Sequence, residues 1–163
     1  MEKEKLKVSD VIPLSEQTVK DISSSLARLA DIAKDYYAAD EDCDVLLLEK
    51  LKRSLLGELQ YINTLYSKTR RFKGESFTYL SEHRKALKSA SIKILMDGGM
   101  KISAAEVFVY DSEYYKERIT LMNELVQFFL KTEHLIEHYN NVVHSIIQSV
   151  SIAGKERSQS IHM

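Results

Sequence analysis

The sequence is short of the residues that break or staple a chain. Among 163 residues there are one proline, five glycines, one cysteine and no tryptophan. Proline and glycine ordinarily make up about 5% and 7% of a chain, and a β-sandwich needs them at frequent turns, so a turn-rich sandwich is excluded. The lone cysteine, Cys43, rules out an intramolecular disulfide framework and leaves no CxxC pair for zinc or redox chemistry. A reducing cytoplasm suits such a chain, and no cofactor is implied. No run of about 18 apolar residues occurs, so no membrane span is expected. The opening MEKEKLKVSD alternates charges and lacks the apolar stretch of a signal peptide. With 44% hydrophobic and 29% charged residues, the chain has the means to form a core.

What it has in quantity is helical periodicity. Val19, Ile22, Leu26, Leu29, Ala33 and Tyr36 alternate steps of three and four, the stripe of a helix that packs on another helix. With Pro13 and Ser15 at its start, it predicts a helix over 15–38. The acidic stretch Asp40, Glu41, Asp42, Asp44 then connects to a second helix over 44–70 and sets carboxylates beside its positive end. The same aspartates imitate the start of a calcium loop, but Val45 stands where that loop needs glycine and Leu51 where it needs glutamate. In the second helix Leu48, Leu51, Leu55, Ile62 and Leu65 form the stripe, and Leu56 and Leu59 widen it. Gly57 interrupts it, either weakening the middle or admitting a neighbouring backbone. A third helix over 77–96 ends at Gly98 and Gly99. Ser103 and Glu106 have capping-box spacing, so helix resumes there; the strand reading of Val107 to Tyr110 lacks a pairing partner.

From Met122 the series Met122, Leu125, Phe129, Thr132, Ile136, Tyr139, Val143, Ile146, Val150, Ala153 keeps the three-four alternation without a slip. A helix over 112–153 would be roughly 60 Å long. Phe128, Leu135, Val142, Val126 and Ile147 broaden the stripe beyond a dimer seam, as in a bundle or a multi-chain assembly. The expected architecture is all-α: a flexible N-terminus over 1–14, one helical domain over 15–157 containing a basic hairpin (45–101) and the long coiled-coil-like helix, and a frayed tail over 158–163. Met122, Leu125, Phe129, Ile136, Tyr139, Val143, Ile146 and Val150 are the expected interface of a homo-oligomer.

Catalytic patterns are scarce. His134, Glu137 and His138 read H-x-x-E-H, an inverted zinc-protease pattern, and two histidines four apart can share a metal. In the heptad frame, however, His134, His138 and His144 all fall on outer positions, and only Glu156 remains downstream as a further ligand. Cys43 has acids for neighbours, which raise a thiol's pKa. No GxGxxG or GxxxxGK cradle is present. The chain does not read as an enzyme, and no metal site is expected.

The net charge of -1 conceals strong segregation. Residues 1–49 carry a balance of -6, residues 50–101 one of +8, and residues 102–163 one of -3. In the basic block Lys68, Arg70, Arg71 and Lys73 crowd the end of the second helix among Tyr66, Phe72, Phe77 and Tyr79. On the third helix Arg84, Lys85 and Lys88 lie within about 100° of one another beside Leu80, Leu87 and Ile94. Cations beside aromatic rings suit single-stranded nucleic acid, whose phosphates are neutralised along a groove while bases stack on rings; Phe72 and Tyr79 are the stacking candidates. A recognition helix for duplex DNA is not evident. The competing reading is that the basic helices pair with the acidic ones of the same or a neighbouring chain.

The helix ending in a basic turn (LYSKTRRFKG), the lysine-rich helix (HRKALKSASIKIL), the glycine break and the long final helix together resemble the small phage recombination mediators of the UvsY-like kind, over residues 45–157. The resemblance implies an all-helical, ring-forming subunit that binds single-stranded DNA through Lys68, Arg70, Arg71, Lys73, Arg84, Lys85 and Lys88. It also implies that the subunit loads a recombinase by displacing single-strand binding protein. The alternative is a coiled-coil interaction protein, either an adaptor or a phage-encoded inhibitor of a host protein, with no nucleic-acid role.

Overall fold

The computed structural model describes residues 6–12, 14–39, 44–69 and 77–160, with side chains described from 82 to 155 within the last stretch. The described residues form five α-helices: α1 (Glu16–Ala38), α2 (Val45–Ser67), α3 (Phe77–Asp97), α4 (Ile102–Phe108) and α5 (Glu113–Ser160). No strand occurs among the described residues. Short 3-10 turns at Val8–Asp10 and Val109–Asp111 precede α1 and α5.

The helix starts follow local chemistry. The Thr18 N–H donates to Ser15 Oγ at 3.2 Å, so Ser15 caps α1. Asp44 caps α2, accepting the Leu46 N–H at 3.1 Å, and Ser112 accepts the Tyr115 N–H at 3.3 Å at the start of α5. The α3 stop at Gly98 and Gly99 is a Schellman motif: the Met100 N–H reaches the Leu95 carbonyl at 3.1 Å and the Gly99 N–H that of Met96 at 2.8 Å. Gly99 has φ +93°, a conformation that L side chains rarely adopt. The restart differs from the expected capping box. Lys101 stands at the N-cap of α4 without a side-chain cap, and Ser103 lies inside the first turn. Val107 to Tyr110 is the end of α4 and the 3-10 turn, not strand.

The chain divides into two compact units where one domain was expected. The first comprises Met1–Val19 with Lys68–Leu130, the second Lys20–Ser67 with Lys131–Met163. In the second unit, α1 from Lys20, α2 and the later part of α5 contribute Ile22, Leu29 and Ala33; Leu48, Leu51, Leu55, Leu59, Ile62, Leu65 and Tyr66; and Ile136, Tyr139, Val142, Val143 and Ile146 to the core. Ser25, buried on α1, donates to Glu58 on α2, and Arg28 Nη2 reaches the same carboxylate at 2.7 Å. Of the two residues expected to widen the α2 stripe, Leu59 is buried and Leu56 is exposed, on the side of Arg53 and Gln60.

In the first unit Val11 and Ile12, each 2% exposed, and Leu14 are buried. The segment expected to be a flexible N-terminus therefore supplies core side chains. Ala105, Val109, Met122, Leu125 and Phe129 complete that core. Of the residues expected to join chains, Met122, Leu125, Phe129, Ile136, Tyr139, Val143 and Ile146 are buried within a single chain, and Val150 is half-buried. The periodicity is as expected, and the surface it packs on lies within the subunit.

The open alternative at Gly57 is resolved by space: a Cβ built there meets nothing within 4 Å. No backbone approaches, so the glycine only weakens α2. Gly57→Ala is expected to raise unfolding stability by about 1 kcal/mol, read as a shift in urea midpoint at constant m-value.

The Glu58 cluster makes a second measurable prediction. The hydrogen bond from Arg28, then that from Ser25, lowers the Glu58 pKa against the opposing effect of burial. A carboxylate lowered on folding contributes stability above its ordinary titration range and loses it as pH falls through the lowered value. Glu58→Gln is expected to be destabilising on the order of 1 kcal/mol near neutrality. The gap to wild type should close in acid, as urea unfolding at several pH values will record.

Candidate nucleic-acid interface

On α3, buried Ser91 marks the packed side. Arg84, Lys88, Ser91 and Leu95 follow in steps of four, three and four, so they share one face. Of the apolar face expected from Leu80, Leu87 and Ile94, Leu87 is half-buried and Ile94 exposed, and the Leu80 side chain is not among those described. Arg84 and Lys88 therefore lean towards their own unit. Arg84 Nη2 donates to Asn123 Oδ1 on α5 at 3.1 Å. Lys88 Nζ donates to the Tyr110 hydroxyl at 2.7 Å and lies 4.8 Å from the centre of that ring. The ammonium thus sits at the hydroxyl end, and Tyr110 remains 51% exposed. Tyr115 meets Tyr110 edge-on, with centroids 5.6 Å apart.

Both partners, Asn123 and Tyr110, are uncharged. Among the described residues neither Arg84, Lys85 nor Lys88 forms an ion pair. The hydrogen bond that Lys88 donates to Tyr110 is the main reason that the Lys88 pKa is raised, helped by the Glu106 carboxylate. A guanidinium has five N–H donors and an ammonium three, so each retains donors for a phosphate oxygen while its side chain is held in place. Lys85 and Lys68 are exposed.

Arg70, Arg71, Phe72 and Lys73 lie outside the described residues, as does Cys43. Tyr79 falls on α3, but its side chain is not among those described. Tyr110, the ring beside Lys88, is not among the sequence candidates; elsewhere Arg28 lies over Tyr61 and Arg118 over Tyr114. Tyr110 follows Lys88 by 22 residues, and nothing in the local sequence sets it beside a cation. His134, His138 and His144 are exposed, as the heptad frame predicts. Among the described residues no group of three His, Cys, Asp or Glu is placed to hold a metal ion, and no helix is long and apolar enough to cross a membrane.

Fold and site define an all-α protein in which a cationic helix meets an exposed tyrosine within one of its two units. No protein-family model, curated protein or solved structure matches the chain.

Proposed function

We propose that this chain is a non-enzymatic, cytoplasmic, single-stranded nucleic-acid-binding protein that works as a homo-oligomer. Its place would be as a recombination or replication mediator that loads a recombinase on DNA covered by single-strand binding protein. The observation that carries the reading is the Lys88–Tyr110 pair, a cation with donors to spare beside a half-exposed ring. Arg84, Lys85 and Lys88 would take phosphates, Tyr110 a base, and Lys68, Arg70, Arg71, Lys73, Phe72 and Tyr79 would continue the basic track of the phage-type layout. Single strands fit this chemistry because stacking on a ring is indifferent to sequence and needs unpaired bases.

Titration of a labelled oligothymidine at two salt concentrations tests it. Binding whose log K falls with log salt at about -0.7 per phosphate contacted supports the reading; no binding at low salt eliminates it. The second reading, an adaptor or a phage-encoded inhibitor of a host protein, draws on the apolar outer side of α4.

A further inference from the structure

Two hydrogen bonds at the α3 site consume acceptors and leave donors. Arg84 Nη2 takes the Asn123 oxygen at 3.1 Å, which turns the Asn123 amide nitrogen, with its two hydrogens, away from the guanidinium. Lys88 Nζ takes a lone pair of the Tyr110 hydroxyl at 2.7 Å, so the phenolic hydrogen points elsewhere. Asn123 and Tyr110 are both exposed. Among the described residues neither of their side chains donates a hydrogen bond. The two oxygens are thus occupied by cations, and N–H and O–H groups are what the four side chains leave for a ligand.

Lys116, in the same unit, shows the contrast. It is held by the Asp111 carboxylate at 3.0 Å, an ion pair that cancels its charge. Arg84 and Lys88 are held by neutral groups, so both keep their charge, and each brings a second donor-bearing side chain with it. The Glu106 carboxylate, which also raises the Lys88 pKa, forms no ion pair with it among the described residues. Arg84 and Lys88 stand one turn apart on α3, about 6 Å along the axis, so the cluster consists of two adjoining donor pairs. A matching ligand accepts hydrogen bonds and carries negative charge at two neighbouring points. Base edges mix donors with acceptors and carry no charge; consecutive phosphates of a strand fit.

We propose that the Asn123 amide and the Tyr110 hydroxyl bind phosphate directly: Arg84 with Asn123 holds one phosphate of a single strand and Lys88 with Tyr110 the next, while the face of the Tyr110 ring is left for a base. The inference rests on the strand-binding reading for the identity of the ligand, and adds to it two neutral groups that charge alone does not mark.

Tyr110→Phe keeps the ring and deletes only the hydroxyl. Oligothymidine binding at low salt is expected to weaken about tenfold, with the salt slope and helicity of wild type, because no cation is lost. A hydroxyl that merely holds Lys88 in place predicts the opposite: its removal frees an ammonium donor and leaves binding as tight as before or tighter. The Asn123 amide is read directly by nitrogen–proton correlation NMR of the full chain, with inorganic pyrophosphate as the probe and sodium chloride of equal ionic strength as the control. Its side-chain N–H signals, assigned by their absence in Asn123→Ala, should shift with pyrophosphate, while those of Asn63, exposed on α2, should not. Binding by Tyr110→Phe at wild-type strength or above, or Asn123 signals that stay in place, would overturn the proposal. Failure of wild type to bind oligothymidine would end the strand reading. In that event pyrophosphate shifts at Asn123 keep the donor pairs as a phosphate site, and their absence removes that site too.

Discussion

Ile136→Asp is expected to unfold the second unit, not to separate two chains. Ile136 lies on α5 between buried Thr132 and Tyr139, and is itself buried without any second copy present. A carboxylate at such a position must either be desolvated or take up a proton, and it has no built partner. The expected loss is about 4 kcal/mol or more, a large part of the roughly 5–15 kcal/mol that holds an ordinary domain together. Val143→Asp, one heptad on and 4% exposed, should behave alike. Far-UV circular dichroism separates the accounts. A stripe used only between chains would leave a helical, folded monomer. A stripe used within the chain loses much of its helicity at any protein concentration.

The second large effect concerns the cations of α3. Exchanging Arg84, Lys85 and Lys88 together for alanine is expected to flatten the salt dependence of oligothymidine binding by about two, at roughly 0.7 per lost phosphate contact. Affinity at low salt should fall in step. Helicity should stay as in wild type, because Arg84 and Lys85 are exposed and the internal partners, Asn123 and Tyr110, remain able to bond water. Tyr110→Ala should act differently. It removes a stacking surface worth about 1–3 kcal/mol per base and should leave the salt slope nearly unchanged. A triple variant with the wild-type slope would move the phosphate track away from α3. A Tyr110→Ala variant of unchanged affinity would reduce the Lys88–Tyr110 pair to an internal hydrogen bond.

Helix positions were legible because the stripes repeat at a helical period and the caps are local. Ser15, Asp44 and the paired glycines each act within a few residues of themselves, and α1 to α3 lie within about three residues of the expected bounds at each end. The stripe on α5 was legible for the same reason, at every position from Met122 to Ile146. Periodicity identifies an inward face without saying what lies against it, so the partner of that stripe could not be read. Nor could burial at Val11 and Ile12, which precede any periodic run and are buried through contacts distant in sequence. On α3 the period marks the side of Leu87 and Ser91, but not that Arg84 and Lys88 reach from beside it to Asn123 and Tyr110. Such polar pairings are matters of tertiary position, and no spacing rule announces them.

The two units are interleaved along the chain: the first opens before the second, is interrupted by it, and closes before the second resumes. During synthesis, at about 5–20 residues per second, neither unit can be completed in order of emergence. When α1 and α2 have left the ribosome, their inner faces, Ile22, Leu29, Leu51, Leu55 and Ile62 among them, still await the segment after Leu130. For several seconds the nascent hairpin therefore carries an uncovered leucine-rich face. A chaperone that holds apolar helices has more to do here than for a chain of equal length with its units in series, and a premature stop before residue 131 would leave that face permanently uncovered.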